Sequence, residues 1–334
     1  MTTDAASATS AGARPDLSII VLTYNRARVL ADCLDSLVAQ THPAERLEIV
    51  VADDGSSDTT PDVIAAYARA HENVRCARHE HRGIPATRNL GLRHARSPVV
   101  AIVADDYILD RTYAERVLRF FHEHPGAEVV RFGIVPARYD AASRISHAYY
   151  RASVLRGLLI PGDSPSFRAP AEVPRESTTE HGLDASGAAA FRREVFTRVG
   201  VFDETLARAE DSDLTVRLRR AGIAIHFEPN LPVRHQYDPY LRDTLMKSWL
   251  TGWYRYHHRR KNGVAKGALR VTIDQLAQKV TALRAELRAS RREGALGWFV
   301  VGLPFLLLFE ATNKAGFVCS WLCDRALPRS GGRR

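Results

Sequence analysis

The chain has 334 residues, 45% of them hydrophobic and 25% charged, which suits one large folded domain with an appendage, or two domains, and excludes a wholly disordered chain. Its net charge of +9 suits nucleic acid, an anionic membrane surface or a phosphorylated substrate, and does not choose among them. Four cysteines, Cys33, Cys76, Cys319 and Cys323, exclude a disulfide scaffold and lack paired zinc-ligand spacing, so free thiols in a reducing compartment are expected.

Residues 1–15 are rich in Ala, Ser and Thr and have no apolar core, which predicts a short disordered tail in front of a cytoplasmic domain. Leu17 to Leu22 reads as a first strand, closed by Thr23-Tyr24-Asn25-Arg26. Apolar residues from Val29 to Val38 then recur at three and four and predict a helix. A second strand, Leu47 to Ala52, ends in Asp53-Asp54-Gly55-Ser56-Ser57-Asp58, and Thr59 to Arg69 reads as a helix with Pro61 in its first turn. Strand, turn, helix repeated in this way is the pattern of a parallel sheet wound by helices.

The Asp-Gly-Ser turn is what any strand-to-helix turn would use, with a side chain capping the helix. Tyr24 gives it a second meaning. An aromatic face beside an acid that accepts an N–H proton offers a nucleobase both stacking and edge recognition. Val74 to His79 is a short third strand, and Gly83 to Leu92 a helix that carries Arg88 near the sheet edge, either toward a diphosphate or base or simply at the surface.

Val99 to Ala104 is an uncharged, mostly β-branched run, the signature of a strand buried on both faces. Asp105 and Asp106 follow at its carboxyl end, where open α/β sheets bind ligands. Adjacent carboxylates repel unless a cation joins them. A divalent metal holding a phosphate is the economical explanation, and a solvated turn is the other. Thr112 to His124 then reads as a helix and Val129 to Val135 as a strand.

Residues 136–182 carry four prolines after Arg151 and little periodicity, which predicts a loop excursion over the site. Asp184 to Ala190 reads as a run of small residues leading into a helix, and Glu210-Asp211-Ser212-Asp213 as the acidic first turn of another, as the helix dipole favours. Ile223 to Glu228 is strand-like and precedes His235.

Ser18 to Asn25, Val51 to Thr59, Gly83 to Gly91 and Ala104-Asp105-Asp106 occur in the order and spacing of a family 2 glycosyltransferase, and the chain resembles that family across some ninety residues. The resemblance implies a GT-A fold, a Rossmann-type, mostly parallel sheet flanked by helices, over residues 16–238. It implies that Tyr24 and Asp54 hold the nucleotide base, commonly uracil, with Arg88 and Asp105 also on the donor. Asp106, with or without Asp105, would ligate Mg²⁺ or Mn²⁺ on the diphosphate, and His235 would complete that site or pack beside it. The block around Glu210 looks like the acceptor side, where Asp211 would take the proton of the acceptor hydroxyl. The family often shows another acid after the pair, where this chain has Tyr107, and a third acid or a small residue where Ala104 stands.

With one base, one metal and no covalent nucleophile, the expected activity is inverting transfer from a nucleotide sugar, UDP-linked by expectation, to a glycan or lipid-linked acceptor. Two alternatives are a non-catalytic nucleotide-sugar-binding scaffold and a nucleotidyltransferase. The latter would need a Gly-rich phosphate loop with a lysine near the first strand, which is absent from the sequence.

Beyond residue 239 aromatic and basic residues mix, from Trp249 to Lys261, as suits a headgroup layer, and no nucleic-acid-binding motif accompanies them. Leu269 to Leu287 forms a short heptad seam, adequate for packing on the domain or a partner. The uncharged stretch Gly294 to Phe309 is ~24 Å long if helical, against a hydrocarbon core of ~30 Å. With Phe317 to Cys323 it predicts a re-entrant or interfacial anchor, or else a buried hairpin. The expectation is a basic tail, 239–334, that holds the enzyme at the inner face of the cell membrane.

Overall fold

The structure, a computed structural model, describes residues 14–138, 187–236, 241–262 and 296–326, with Ser143, Leu183, Arg284, Leu287 and Arg291 besides. The amino-terminal tail to residue 13, almost all of the proline-bearing excursion and the heptad seam apart from Arg284 and Leu287 lie outside the described residues.

An eight-stranded sheet organises the chain, in the order β3-β2-β1-β4-β7-β6-β8-β5. Its parallel half comprises β1 (Leu17–Thr23), β2 (Leu47–Asp53), β3 (Val74–Arg78) and β4 (Val99–Ala104). These strands are apolar on both faces because helices cover both sides. On one face Ile19, Val21, Ile49 and Val103 pack with Leu30, Leu34 and Leu37 of α1 (Ala27–Val38), Ile64 of α2 (Thr60–Ala70) and Val117 of α4 (Tyr113–Glu123). On the other, Val50 and Ala52 meet Leu90 of α3 (Ile84–His94). Gly91 of the same helix sits so close to β1 that a Cβ would lie 2.2 Å from Ile20 Cγ2.

The second half of the sheet is mixed. β7 (Ala188–Arg192) runs antiparallel between β4 and β6 (Val129–Pro136), and β6 pairs in parallel with β8 (Ile225–His235). The two-residue β5 (Tyr107–Ile108) adds to β8 and sets Tyr107 opposite His235. α5 (Val195–Val199) and α6 (Glu210–Arg220) cover this half, with Leu214 and Leu218 packed against Ile102 and Phe191.

Two expectations change. The small residues before Phe191, expected only to lead into a helix, form a central strand. Ala188 and Ala190 join one core and Ala189 the other, so tertiary pairing overrides alanine's weak strand preference. The apolar stretch from Gly294 does not stop at Phe309, since α8 (Leu296–Ala326) is one helix of 31 residues with Pro304 inside it. At ~1.5 Å per residue it is about 46 Å long, and Val300–Asp324 is long and apolar enough to cross a membrane by length and composition.

α7 (Leu241–Lys261) lies alongside α8 and runs parallel to it, because their contacts advance together. Ser248 donates to the Phe309 carbonyl at 2.7 Å, Asn313 donates to the Ser248 carbonyl at 3.0 Å, and Tyr256 donates to Asp324 at 2.7 Å. Gly252 and Gly316 allow the close approach: a Cβ would fall 1.8 Å from the Asn313 carbonyl oxygen or 2.2 Å from that of Trp249, respectively.

Candidate active site

The register of the parallel strands brings the candidate residues to one end of the sheet. Thr23 is level with Asp53, and Leu22 with Ala104, so Tyr24, Asp54 and Asp105 leave the sheet together. Between them the β1–α1 turn is fixed by Asn25, a non-glycine residue at φ +52°. Its backbone N–H donates to Ser56 Oγ, and its side-chain oxygen accepts from the N–H groups of Ser57 and Asp58. Asp53 is spent locally, accepting from the Ser56 N–H and hydroxyl and lying 3.3 Å from Arg78 Nε of β3, and Asp58 accepts from the Thr60 N–H at the start of α2.

Asp54 is buried, with its carboxylate turned to the loop before α3. It accepts from the N–H groups of Arg82, at 2.8 Å, and Gly83, at 3.0 Å, and lies 3.2 Å from His79 Nε2 and 2.8 Å from His81 Nδ1. Tyr24 is 40% exposed, and the His81 ring stacks on it with centroids 4.2 Å apart.

The acidic pair is buried as well. Asp105 accepts from Thr23 Oγ1 at 2.8 Å, and a single guanidinium nitrogen, Arg26 Nη1, reaches both acids, 3.0 Å from Asp105 and 2.9 Å from Asp106. His235 Nε2 lies 3.2 Å from Asp106, its ring edge-on to Tyr107. Burial pushes the Asp105 carboxyl up, opposed by Arg26 and reinforced by Asp106. For Asp106 burial works the same way, yet His235 and Arg26 together outweigh it and hold the carboxyl well below the usual range. The pair is therefore asymmetric, with Asp106 the more firmly ionised acid.

One buried oxygen of the pair, Asp106 Oδ1, has no hydrogen-bond partner. An acceptor left so is costly unless a ligand completes it. Among the described residues no three or more His, Cys, Asp or Glu side chains gather as a metal cage. The donor set suits a hard cation held by one or two carboxylates, with substrate phosphates supplying the remaining ligands.

Arg88 is neither at the surface nor turned to the acid pair. It is buried, bonded to Glu210 Oε1 at 2.5 Å and stacked over Phe202, so it ties α3 to the first turn of α6. Asp211 sits in that turn, accepting the Ser212 N–H at 2.7 Å. Asp213, two residues on, is fully buried and holds Arg217 and Lys261. The structure thus brings Tyr24 and Asp54 together, and Asp105, Asp106 and His235 together. It ties the turn that carries Asp211 to α3 through the Arg88–Glu210 ion pair.

Arg26 and His81 are not among the candidate residues of the sequence reading, although Arg26 bonds to both acids of the pair and His81 bonds to Asp54 and stacks on Tyr24. A lone cation in a turn carries no local signal of the acids it will meet.

The fold is that of solved GT-A glycosyltransferases. The mannosyltransferase PcManGT from Pyrobaculum calidifontis, solved with GDP-Man and Mn²⁺, aligns with a TM-score of 0.58 at 21% identity, covering 93% of this chain and 88% of that one. S. aureus TarS 1–349 aligns with a TM-score of 0.50 at 18% identity, covering 94% and 93%. The family model described as glycosyl transferase family 2 matches residues 18–200, more than half of the sequence, and the chain belongs to that family.

Among its relatives, EpsJ of Bacillus subtilis (strain 168), described as an uncharacterized glycosyltransferase, is 27% identical over 279 residues, 78% of this chain and 75% of its own. The putative glycosyltransferase EpsH of the same organism is 33% identical over 105 residues, 31% of this chain and 30% of EpsH. Validoxylamine A glucosyltransferase of Streptomyces hygroscopicus subsp. jinggangensis (strain 5008) is 30% identical over 226 residues, 63% of this chain and 52% of its own. The match thus spans under a third of EpsH and about half of the glucosyltransferase.

Proposed function

We propose that the chain is an inverting, metal-dependent glycosyltransferase that moves a sugar from a nucleotide-sugar donor, UDP-linked in the first instance, to a hydroxyl of a glycan or lipid-linked acceptor. The observation that carries this is the buried acid pair beside an aromatic and acid couple at one end of the sheet, with Asp106 Oδ1 unpartnered. Family membership and the nucleotide-sugar complex of the mannosyltransferase PcManGT support the same reading.

In this reading Tyr24 stacks on the base and Asp54 accepts from its N–H edge. Asp106, with Asp105 beside it, holds Mg²⁺ or Mn²⁺, which when bound offsets the charge that builds on the departing diphosphate. His235 keeps Asp106 ionised and oriented. Asp211 takes the proton of the acceptor hydroxyl as that oxygen attacks the anomeric carbon from the face opposite the leaving group. Arg88 acts through the Glu210 ion pair by fixing the turn that carries Asp211, rather than by touching the donor.

The tail, from about residue 239, places the domain at the cytoplasmic face of the membrane. α8 turns Val300, Val301, Leu307, Leu308, Val318 and Leu322 outward, away from α7. Small residues and interhelical polar bonds, as at Gly252, Gly316 and Asn313, are how helices associate in lipid.

Titration calorimetry of UDP, GDP and dTDP into the full chain, with and without Mn²⁺, tests the donor half. Metal-dependent binding of one nucleotide, lost in Asp106→Asn, is expected. Binding indifferent to metal, or no binding of any of the three, overturns it.

A further inference from the structure

The His81 side chain lies where the reading above puts a nucleobase. Its ring is stacked on Tyr24 with centroids 4.2 Å apart and planes 22° from parallel. Its Nδ1 is 2.8 Å from Asp54 Oδ2. A base held by Tyr24 and Asp54 needs the same two surfaces, the face of the phenol ring and the edge of the carboxylate. A five-membered ring with a nitrogen at its edge reproduces both contacts at once.

The backbone beneath it is pinned. Gly55, at φ +80°, lies so close to the loop that a Cβ there would come 2.8 Å from the His81 nitrogen and 3.0 Å from the His79 carbonyl oxygen. The next two N–H groups, of Arg82 and Gly83, both donate to Asp54. The loop therefore stays on the turn while the imidazole, 56% exposed, has room to rotate into solvent.

We propose that His81 is the resident occupant of the base subsite, a built-in surrogate base that every donor displaces, and that it thereby sets the affinity and selectivity of the site for the nucleotide. This inference rests on the assignment of Tyr24 and Asp54 to the base. A donor binds only where its ring gains more from Tyr24 and Asp54 than the imidazole gives up. A nucleotide that stacks poorly or offers no N–H edge is rejected at the slot, before its sugar is read. With the imidazole gone, Asp54 keeps its bonds to the loop backbone and offers the same edge to the incoming base.

The test is calorimetric titration of UDP, with Mn²⁺, into the full-length wild type, His81→Ala and Tyr24→Ala. His81→Ala is expected to bind UDP about ten-fold more tightly, the worth of one aromatic stack and one hydrogen bond no longer displaced. Unchanged or weaker binding by His81→Ala overturns the surrogate role and makes the imidazole an idle neighbour or a second wall of the slot. Tyr24→Ala serves the underlying assignment separately: its UDP affinity is expected to fall, and if it does not, the base is held elsewhere whatever His81 does. A second readout does not depend on affinity. In the free protein the His81 ring protons carry the ring-current shift of Tyr24, and saturation with UDP is expected to release it. A shift retained in the UDP complex overturns the proposal.

Discussion

Lys261 Nζ lies 2.7 Å from Asp213 Oδ1 and so joins the last turn of α7 to the first turn of α6. The same ammonium reaches Asp203 at 2.5 Å, and Asn262 reaches Asp213 at 3.3 Å. Asp213 is fully buried, and although burial alone would raise its pKa, Lys261 and Arg217 hold the carboxyl below the usual range. The basic run at the end of α7 is thus partly spent on the catalytic domain. Lys261→Met is expected to lower stability by about 1–2 kcal/mol, discounted for the lysine's exposure and for the Arg217 pair that remains. It should also slow turnover while leaving donor affinity intact, because Asp211 shares the loosened turn. Thermal melts beside initial rates decide this, and a variant with unchanged kcat detaches the tail from the chemistry.

Removal of Asp211, the proposed acceptor-side base, has a separate signature. Asp211→Asn should cut kcat by about 10²- to 10⁴-fold with nucleotide affinity unchanged, since general-base help is felt in the chemical step. Rates paired with calorimetry on one preparation make the comparison. A variant with full turnover places the base elsewhere.

Arg26 neutralises the acid pair from the protein's own side. Arg26→Gln leaves two buried carboxylates without that guanidinium, and about 1–3 kcal/mol of stability should be lost without added metal. Mn²⁺ should then raise the melting temperature of the variant more than that of the wild type. Equal shifts would mean that the guanidinium and the metal do not share a position.

The opposite end of the sheet carries a carboxylate of another kind. Glu48 is buried and accepts from Ser18 Oγ at 2.5 Å, the Arg96 N–H at 2.9 Å and Arg96 Nε at 2.6 Å, with Arg75 also at 2.6 Å. Burial works to raise its pKa, and these partners outweigh it and lower it. A depressed carboxyl stabilises the fold above the unfolded-state value of about 4.3, and that contribution fades as pH falls through the lower, folded value. Glu48→Gln is expected to cost about 1–3 kcal/mol at pH 7 and less below pH 4. Urea denaturation at both pH values measures it, and a penalty that persists in acid would assign the loss to packing.

Gly252 and Gly316 fix how closely the tail helices approach. Gly252→Val places a side chain against the Asn313 backbone, forces α7 and α8 apart, and should cost about 1–3 kcal/mol as an overpacked contact. Faster limited proteolysis of the tail reads this directly. Deletion of 294–334 should move the protein from the membrane to the soluble fraction, and a protein that stays with the membrane shows that other surfaces hold it there.

The elements legible in the sequence are those whose burial is uniform. β1, β2 and β4 read correctly to within a residue because continuous apolar runs, closed by Thr23, Asp53 and Asp105, leave little freedom of register. β7 was not legible, since Ala188, Ala189 and Ala190 become a strand only through β4 and β6 on either side. β5 is two residues long and is defined by its partner β8. At the site, Asp54, Asp105 and Asp106 announce themselves at strand ends. Arg26 does not, because the acids it bridges lie 79 and 80 residues further along the chain. The apolar runs to Phe309 and from Phe317 to Cys323 read as a re-entrant or interfacial anchor or a hairpin, but one helix joins them through Glu310 and Lys314, which stand four apart as an opposite-charge pair.

The place of β7 in the sheet has a consequence on the ribosome. β6 ends at Pro136, and neither of its neighbours is made until Ala188 and beyond. At about 5–20 residues per second, several seconds of synthesis separate β6 from its first partner. Through that interval β6 has both flanks bare and β4 has one, each able to recruit a strand from another nascent chain. The half-made protein is thus more prone to aggregate than the finished one, and a chain arrested or truncated near residue 138 is the form for which a cell would need a chaperone.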